Sequence, residues 1–219
     1  MPEGVTITDR SVPGPVGQIP VKVFRPSGAG TLPLLGFLHG GGWVIGSPNT
    51  HAKLAAELAL GAGCVVVSVD YRMAPENPAP ASLDDCVAAI RYAVANAAEF
   101  GADGSRFAIG GDSAGGNLTA ASVLRLRDEN GPTARLQLLL YGAFTANNDL
   151  PSVIENGEGK ILTRQAMIWF YNHYLSGGAS PDDPYIAPIK GDLRGLPPAH
   201  LIVGTQDPLL DDSKLFAKA

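Results

Sequence analysis

Residues Arg106–Gly110 read as a short strand and run without a break into Gly111-Asp112-Ser113-Ala114-Gly115. The Ala- and Leu-rich stretch Ala114–Glu129 then reads as a helix closed by Asn130-Gly131-Pro132. A strand that turns directly into a helix forces its apex residue into a crowded, strained backbone, and glycine on either side relieves the crowding. This is the context of a G-x-S-x-G elbow, in which a serine Oγ is held outward at the top of a sheet. Ser113 is therefore the candidate nucleophile, and Gly111, Asp112 and Gly115 shape the turn around it. A glycine-rich loop with no catalytic role is the bland alternative. A phosphate-cradling loop is excluded, because it needs Gly-Lys-Ser/Thr opening the helix and this turn has no lysine.

An acyl-transfer serine needs donors for the charge that develops on the attacked oxygen. Pro33–Leu38 read as an apolar strand, and His39-Gly40-Gly41-Gly42-Trp43 follow at once. Consecutive glycines let several backbone N–H groups converge on one point with no side chain in the way. The oxyanion donors are expected to be the amides of Gly40, Gly41 and Ala114, with His39 and Gly42 supporting the loop. A third segment, Gly204-Thr205-Gln206-Asp207-Pro208-Leu209-Leu210, follows the apolar strand His200–Val203. It thus sits at a strand's carboxyl end, where open α/β sheets build their sites. Asp207 is the candidate acid to orient a histidine, although an isolated Asp-Pro is usually only a turn.

Strands and helices alternate along the rest of the chain, as a mostly parallel sheet covered on both faces requires. Two strands, Val5–Asp9 and Ile19–Arg25, are joined by the turn Pro13–Gly17. Strand Pro33–Leu38 leads to helix His51–Leu60, and strand Cys64–Asp70 to helix Leu83–Glu99, with Ser82 as cap and Asp85 closing a capping box. Strand Arg135–Tyr141 precedes an insertion, Gly142 to Pro198, expected to act as a lid and carry substrate preference. Within it Met167, Phe170, Tyr171 and Tyr174 recur at helical spacing, with Thr163 as N-cap. At 219 residues, 45% hydrophobic and 17% charged, one domain spanning residues 1–219 is expected. The formal net charge of −5 and the lack of any Lys/Arg cluster argue against a nucleic-acid partner. No apolar run is long enough to span a membrane, and Met1-Pro2-Glu3-Gly4 has no basic segment leading into one. A cytoplasmic protein is expected, with Cys64 and Cys86 as free core residues. Zinc-ligand spacing is absent, and no metal or cofactor is implied.

Taken in order and spacing, His39–Trp43, Asp70-Tyr71-Arg72-Met73-Ala74-Pro75-Glu76, Gly111–Asn117 and Asp207–Leu209 resemble the hormone-sensitive-lipase-like (bacterial family IV) esterases of the α/β-hydrolase superfamily. The likeness covers nearly the whole chain. It implies an α/β-hydrolase fold and hydrolysis of a carboxylic ester, with a short acyl chain, through an acyl-enzyme. Ser113 is then the nucleophile, Asp207 holds the catalytic histidine, and the glycine loop binds the oxyanion. Arg72 and Glu76 are expected to hold the neighbouring loop in shape. The implied partner is a small ester substrate, with a homodimer left open.

The resemblance also implies a catalytic histidine well beyond the aspartate, and none follows Asp207. The four histidines present are His39, in the glycine loop; His51, at the start of a helix; His173, in the lid helix; and His200, opening a strand. The expectation is a chain incomplete at its C-terminus, lacking the last strand and final helix and nearly inactive alone. The lid, with little sequence ahead of the first strand, is expected to be partial. Two other readings stay open: a non-catalytic receptor-like binder of small molecules, and an amidase or deacetylase using the same groups.

Overall fold

The computed structural model describes residues 2–28 and 30–219. Seven strands form one sheet in the order β1-β2-β4-β3-β5-β6-β7. Strands β1 (Val5–Gly14) and β2 (Gly17–Pro26) make an antiparallel hairpin, with Pro15 and Val16 between them. β2 pairs antiparallel with β4 (Val65–Val69). From there on every pairing is parallel, through β3 (Leu32–Leu38), β5 (Ala102–Asp112), β6 (Gln137–Leu140) and β7 (Ala199–Ile202).

Both faces of the sheet are covered, which is why the inner strands read as apolar runs. Along β3, Leu35 and Phe37 pack with Phe24 and Val66 under helix α1 (Ala52–Ala62). Leu34 and Leu38 face the other way, into the core built with helices α2 (Ala81–Ala95) and α3 (Ala114–Asp128). Gly36 lies on that same side, where an added Cβ would touch Ile90 of α2 at 3.4 Å. The period of two thus sorts β3 between two helix layers.

Helix α2 departs from the sequence expectation at its start. It begins at Ala81 after Pro80, and no side chain caps it. The capping box expected of Ser82 and Asp85 does not form, because Asp85 is drawn to Arg72 in the segment that follows β4. Arg72 donates to Asp85 through Nε and Nη2, both at 2.8 Å, and through its backbone N at 3.0 Å. A bidentate, charge-assisted contact outweighs a neutral cap bond. Its C-terminal end also differs, since the last turn, Ala97–Phe100, is a separate 3-10 helix.

Among the described residues the insertion holds two α-helices, α4 (Pro151–Asn156) and α5 (Arg164–Tyr174), and a 3-10 turn at Pro188–Lys190. Thr163 caps α5 by accepting from Ala166 N at 3.1 Å. Met167, Tyr171 and Tyr174 are the buried stripe of α5. Helix α4 has few apolar residues and was not legible as a periodic segment. The last helix, α6 (Leu210–Lys218), follows the Asp207 turn and packs Phe216 on Phe144, ring centroids 4.3 Å apart. Both cysteines are free and buried. Among the described residues, no helix is long and apolar enough to cross a membrane.

Candidate active site

β3 and β5 are parallel neighbours, with Leu38 beside Gly111, so the loop after β3 and the turn after β5 leave the sheet at the same edge. Ser113 sits at φ 54°, ψ −119°, between β5 and α3. That close turn requires glycine on each side. A Cβ on Gly115 would lie 1.8 Å from Leu38 O, and one on Gly111 would lie 2.4 Å from both Gly115 O and Leu38 O. Ser113 N donates to Leu140 O at 2.8 Å, which ties the apex to β6. Asn117, one turn into α3, donates from Nδ2 to Ala143 O at 2.7 Å and to Ile186 O at 2.8 Å, so the elbow helix also anchors the insertion.

The glycine loop is braced from beneath. His39 is fully buried, with its Nδ1 2.8 Å from Gly40 O. Tyr71 stacks on the His39 ring, centroids 4.3 Å apart, and donates to His39 O at 2.7 Å. Burial lowers the His39 pKa to about 4, so the ring is neutral near pH 7. Ala74 N donates to Trp43 O at 2.9 Å, and the Trp43 indole stacks on Tyr174 of α5 at 4.4 Å. The segment Asp70–Glu76 therefore shapes this loop through Tyr71 and Ala74, while Arg72 fixes the segment itself to α2.

One expected donor is placed differently. Gly40 N donates to Asp112 Oδ1 at 3.0 Å, and Gly40 does not line the cavity. A buried amide with a carboxylate acceptor has no hydrogen left for a substrate oxygen, so Gly40 is removed from the expected donor set. Gly41 and Gly42 do line the cavity, together with Ala114. Among the described residues the amides of these three donate to no other group.

The cavity above Ser113 measures about 810 Å³ and is mainly apolar. Its walls include Met167, Phe170 and Tyr171 of α5 together with Ala143 and Leu209, and Asp207 shares it with Ser113. Asp207 Oδ1 accepts from Leu209 N at 2.8 Å, an Asx-type turn that fixes the loop ahead of α6. Two neighbouring acids secure that loop. Asp211 Oδ2 accepts from Ser152 N at 2.8 Å, and Ser152 Oγ donates to Pro208 O at 2.7 Å. Asp212 Oδ1 accepts from the amides of Phe144 and Thr145 at 2.7 and 2.9 Å and from Thr145 Oγ1 at 2.9 Å. Burial nevertheless raises the Asp212 pKa to about 6. Tyr141, at φ 39° on the cavity wall, has its phenol pKa raised by burial first and then by Asp112 and Asp207.

The structure scatters the four histidines. His39 lies under the glycine loop, and His51 lies just before α1 with Nε2 3.3 Å from Asp112 Oδ2. His173 sits on α5 against Trp169, ring centroids 4.3 Å apart, and His200 is exposed on β7. None lines the cavity. His51, Tyr71, Ser152 and Asp212 are the working side chains that motif reading gave no role. Only their isolated polarity next to an apolar run marked them, and Ser, Asp or His in such a place is usually a cap or turn residue. Among the described residues no group of three or more His, Cys, Asp or Glu side chains could hold a metal ion.

Against known protein families, residues 35–219 match the one described as alpha/beta hydrolase fold. The chain belongs to the α/β-hydrolase family. Within it the similarity is to hormone-sensitive-lipase-like carboxylesterases. Carboxylic ester hydrolase LipN of Mycobacterium tuberculosis is 45% identical over 98% of this chain and 59% of its own length. Carboxylesterase NlhH of the same species is 44% identical over 92% of this chain and 65% of its own length. The α/β-hydrolase chain thus spans less than two thirds of these two curated relatives. A thermostable esterase from Pseudomonas putida superposes with a TM-score of 0.95 at 33% identity, covering 99% of this chain and 69% of that one. An esterase from Pyrobaculum calidifontis does so with a TM-score of 0.92 at 39% identity, covering 97% and 70%.

Proposed function

We propose that this α/β-hydrolase cleaves carboxylic esters of short acyl chain through an acyl-enzyme on Ser113. The observation that carries this is the convergence, in one apolar cavity, of an outward serine on a strained turn with three amides that have no other acceptor. Ser113 Oγ attacks the ester carbonyl, and its proton passes to a base. The carbonyl oxygen takes the negative charge and is held by the amides of Gly41, Gly42 and Ala114, each worth roughly 10²–10³ in rate. The tetrahedral intermediate collapses, the alcohol leaves with the proton, and water repeats the sequence on the acyl-serine. The apolar wall of Met167, Phe170 and Tyr171 favours a small hydrocarbon acyl group. Ester-hydrolase names among the relatives support the same reaction class.

Asp207 is the proposed orienting acid, and no histidine of the chain stands beside it. The base is therefore proposed to be an imidazole that none of the four histidines supplies from its observed position. Hydrolysis of p-nitrophenyl esters with and without added imidazole tests this directly. The expected result is a slow rate that imidazole raises and that Ser113→Ala removes. A fast, Ser113-dependent rate without imidazole would make one of the four histidines the base. Turnover that survives Ser113→Ala would reject the nucleophile.

A further inference from the structure

His51 belongs to none of the catalytic motifs, yet one carboxylate links it to two of them. One side of its ring is tied to its own turn, with Nδ1 2.9 Å from Thr50 Oγ1 and 3.4 Å from Ser47 O. On the other side Nε2 lies 3.3 Å from Asp112 Oδ2. The second oxygen of Asp112 accepts from Gly40 N at 3.0 Å. Asp112 is only 5% exposed and directly precedes Ser113, so its backbone is fixed by the elbow. The carboxylate also packs closely against Gly40, where an added Cβ would fall 2.3 Å from Oδ2.

A carboxylate gripped at one oxygen can still swing about its side-chain torsions, and a swing here leaves the Gly40 amide buried without an acceptor. Gripping the second oxygen removes that freedom. We propose that His51 is a positioning residue: by holding Oδ2 of Asp112 it keeps Oδ1 on Gly40, and so sets the direction in which the next amides, Gly41 and Gly42, enter the cavity. The functional meaning rests on those amides being the oxyanion donors, whereas the test below does not.

The electrostatics agree with the geometry. The contact with Asp112 raises the His51 pKa against the opposing effect of burial. The groups facing the ring are Asp112 from β5 and His39 from the glycine loop, ring centroids 5.5 Å apart, with Tyr71 stacked on His39. Of these the carboxylate carries the charge, because burial keeps His39 neutral down to about pH 4. A raised histidine pKa means the charged pair is complete below the ordinary histidine range and weakens as pH rises through the raised value.

The 219-residue protein labelled with 15N-glycine, followed by NMR from roughly pH 5 to pH 9, reads this out. In the wild type the Gly40 amide should shift with the same midpoint as the His51 ring, and Gly41 and Gly42 should follow. His51→Gln, whose amide can still donate to Asp112, should keep the three amides near their wild-type positions and abolish the inflection. His51→Leu should displace them and speed hydrogen exchange at Gly40 about tenfold or more, the size expected for one lost hydrogen bond. A Gly40 signal that stays flat through the His51 midpoint overturns the proposal, and so do Gln and Leu variants that behave alike. The wild-type titration decides the matter even if a variant does not fold. Failure of Ser113-dependent hydrolysis would instead reject the esterase reading and leave these shifts untouched.

Discussion

At Ser113 the backbone sits at φ 54°, ψ −119°, a region that side-chain-bearing residues enter only at a cost of about 1–3 kcal/mol. The surrounding hydrogen bonds, Ser113 N to Leu140 O and Asn117 Nδ2 to two carbonyls, hold it there. Ser113→Gly should therefore be more stable than Ser113→Ala by about 1 kcal/mol, since glycine occupies this region freely but loses more entropy on folding. Urea midpoints of the two variants measure the difference. Equal midpoints would mean that the turn carries no strain. At this scale the sequence was most informative where the constraint is steric. The glycines flanking Ser113 announce themselves because nothing else fits. Gly40 and Gly41 look alike in a sequence, and only the Asp112 carboxylate, 72 residues away, separates an amide held beneath the loop from one facing the cavity.

Among elements, the segment after β4 and helix α2 are joined by an ion pair whose two halves are unequally buried. The Asp85 side chain is 3% exposed and that of Arg72 30%. Removing Arg72 leaves a carboxylate that water cannot reach, whereas removing Asp85 leaves a guanidinium that can rotate into solvent. Arg72→Met should thus cost about 3–5 kcal/mol and Asp85→Ala about 2 kcal/mol, measured by chemical denaturation. The reverse order would show that the pair is more open than its burial indicates. Strands β3 to β6 and helices α1, α2, α3 and α5 were legible because their apolar residues repeat at strand or helix spacing. Helix α4 was not, because it is held by Ser152 and the Asp207–Asp211 turn and not by an apolar stripe. The start of α2 departs from its sequence pattern for a related reason: Ser82 and Asp85 have the spacing of a local cap, but the partner of Asp85, Arg72, lies 13 residues away.

For the whole molecule, two buried groups pull the pH dependence of stability in opposite directions. The His39 pKa is lowered to about 4, so its contribution is complete above the unfolded value of 6.5 and is lost as pH falls toward 4. The Asp212 pKa is raised to about 6, so the protein loses stability as pH rises from 3.8 through 6. Each effect is on the order of 3 kcal/mol, and across the shared window they offset each other. Asp212→Asn keeps an acceptor for Phe144 and Thr145 and removes the charge. Its stability relative to wild type should be constant below about pH 4 and should rise by about 3 kcal/mol by pH 7. A flat difference profile from denaturation at several pH values would show that the three hydrogen bonds fully offset the burial of the carboxylate. The pairing of β3 with β5 bears on the order of events during folding. The amides of Gly41 and Gly42 and the Ser113 turn meet only across that long-range pairing, so no locally formed helix or hairpin can contain the site. A chain emerging during synthesis holds the loop after β3 for some seventy residues before its counterpart exists, and the docking of β5 is the step that brings the glycine loop and the Ser113 turn into one cavity.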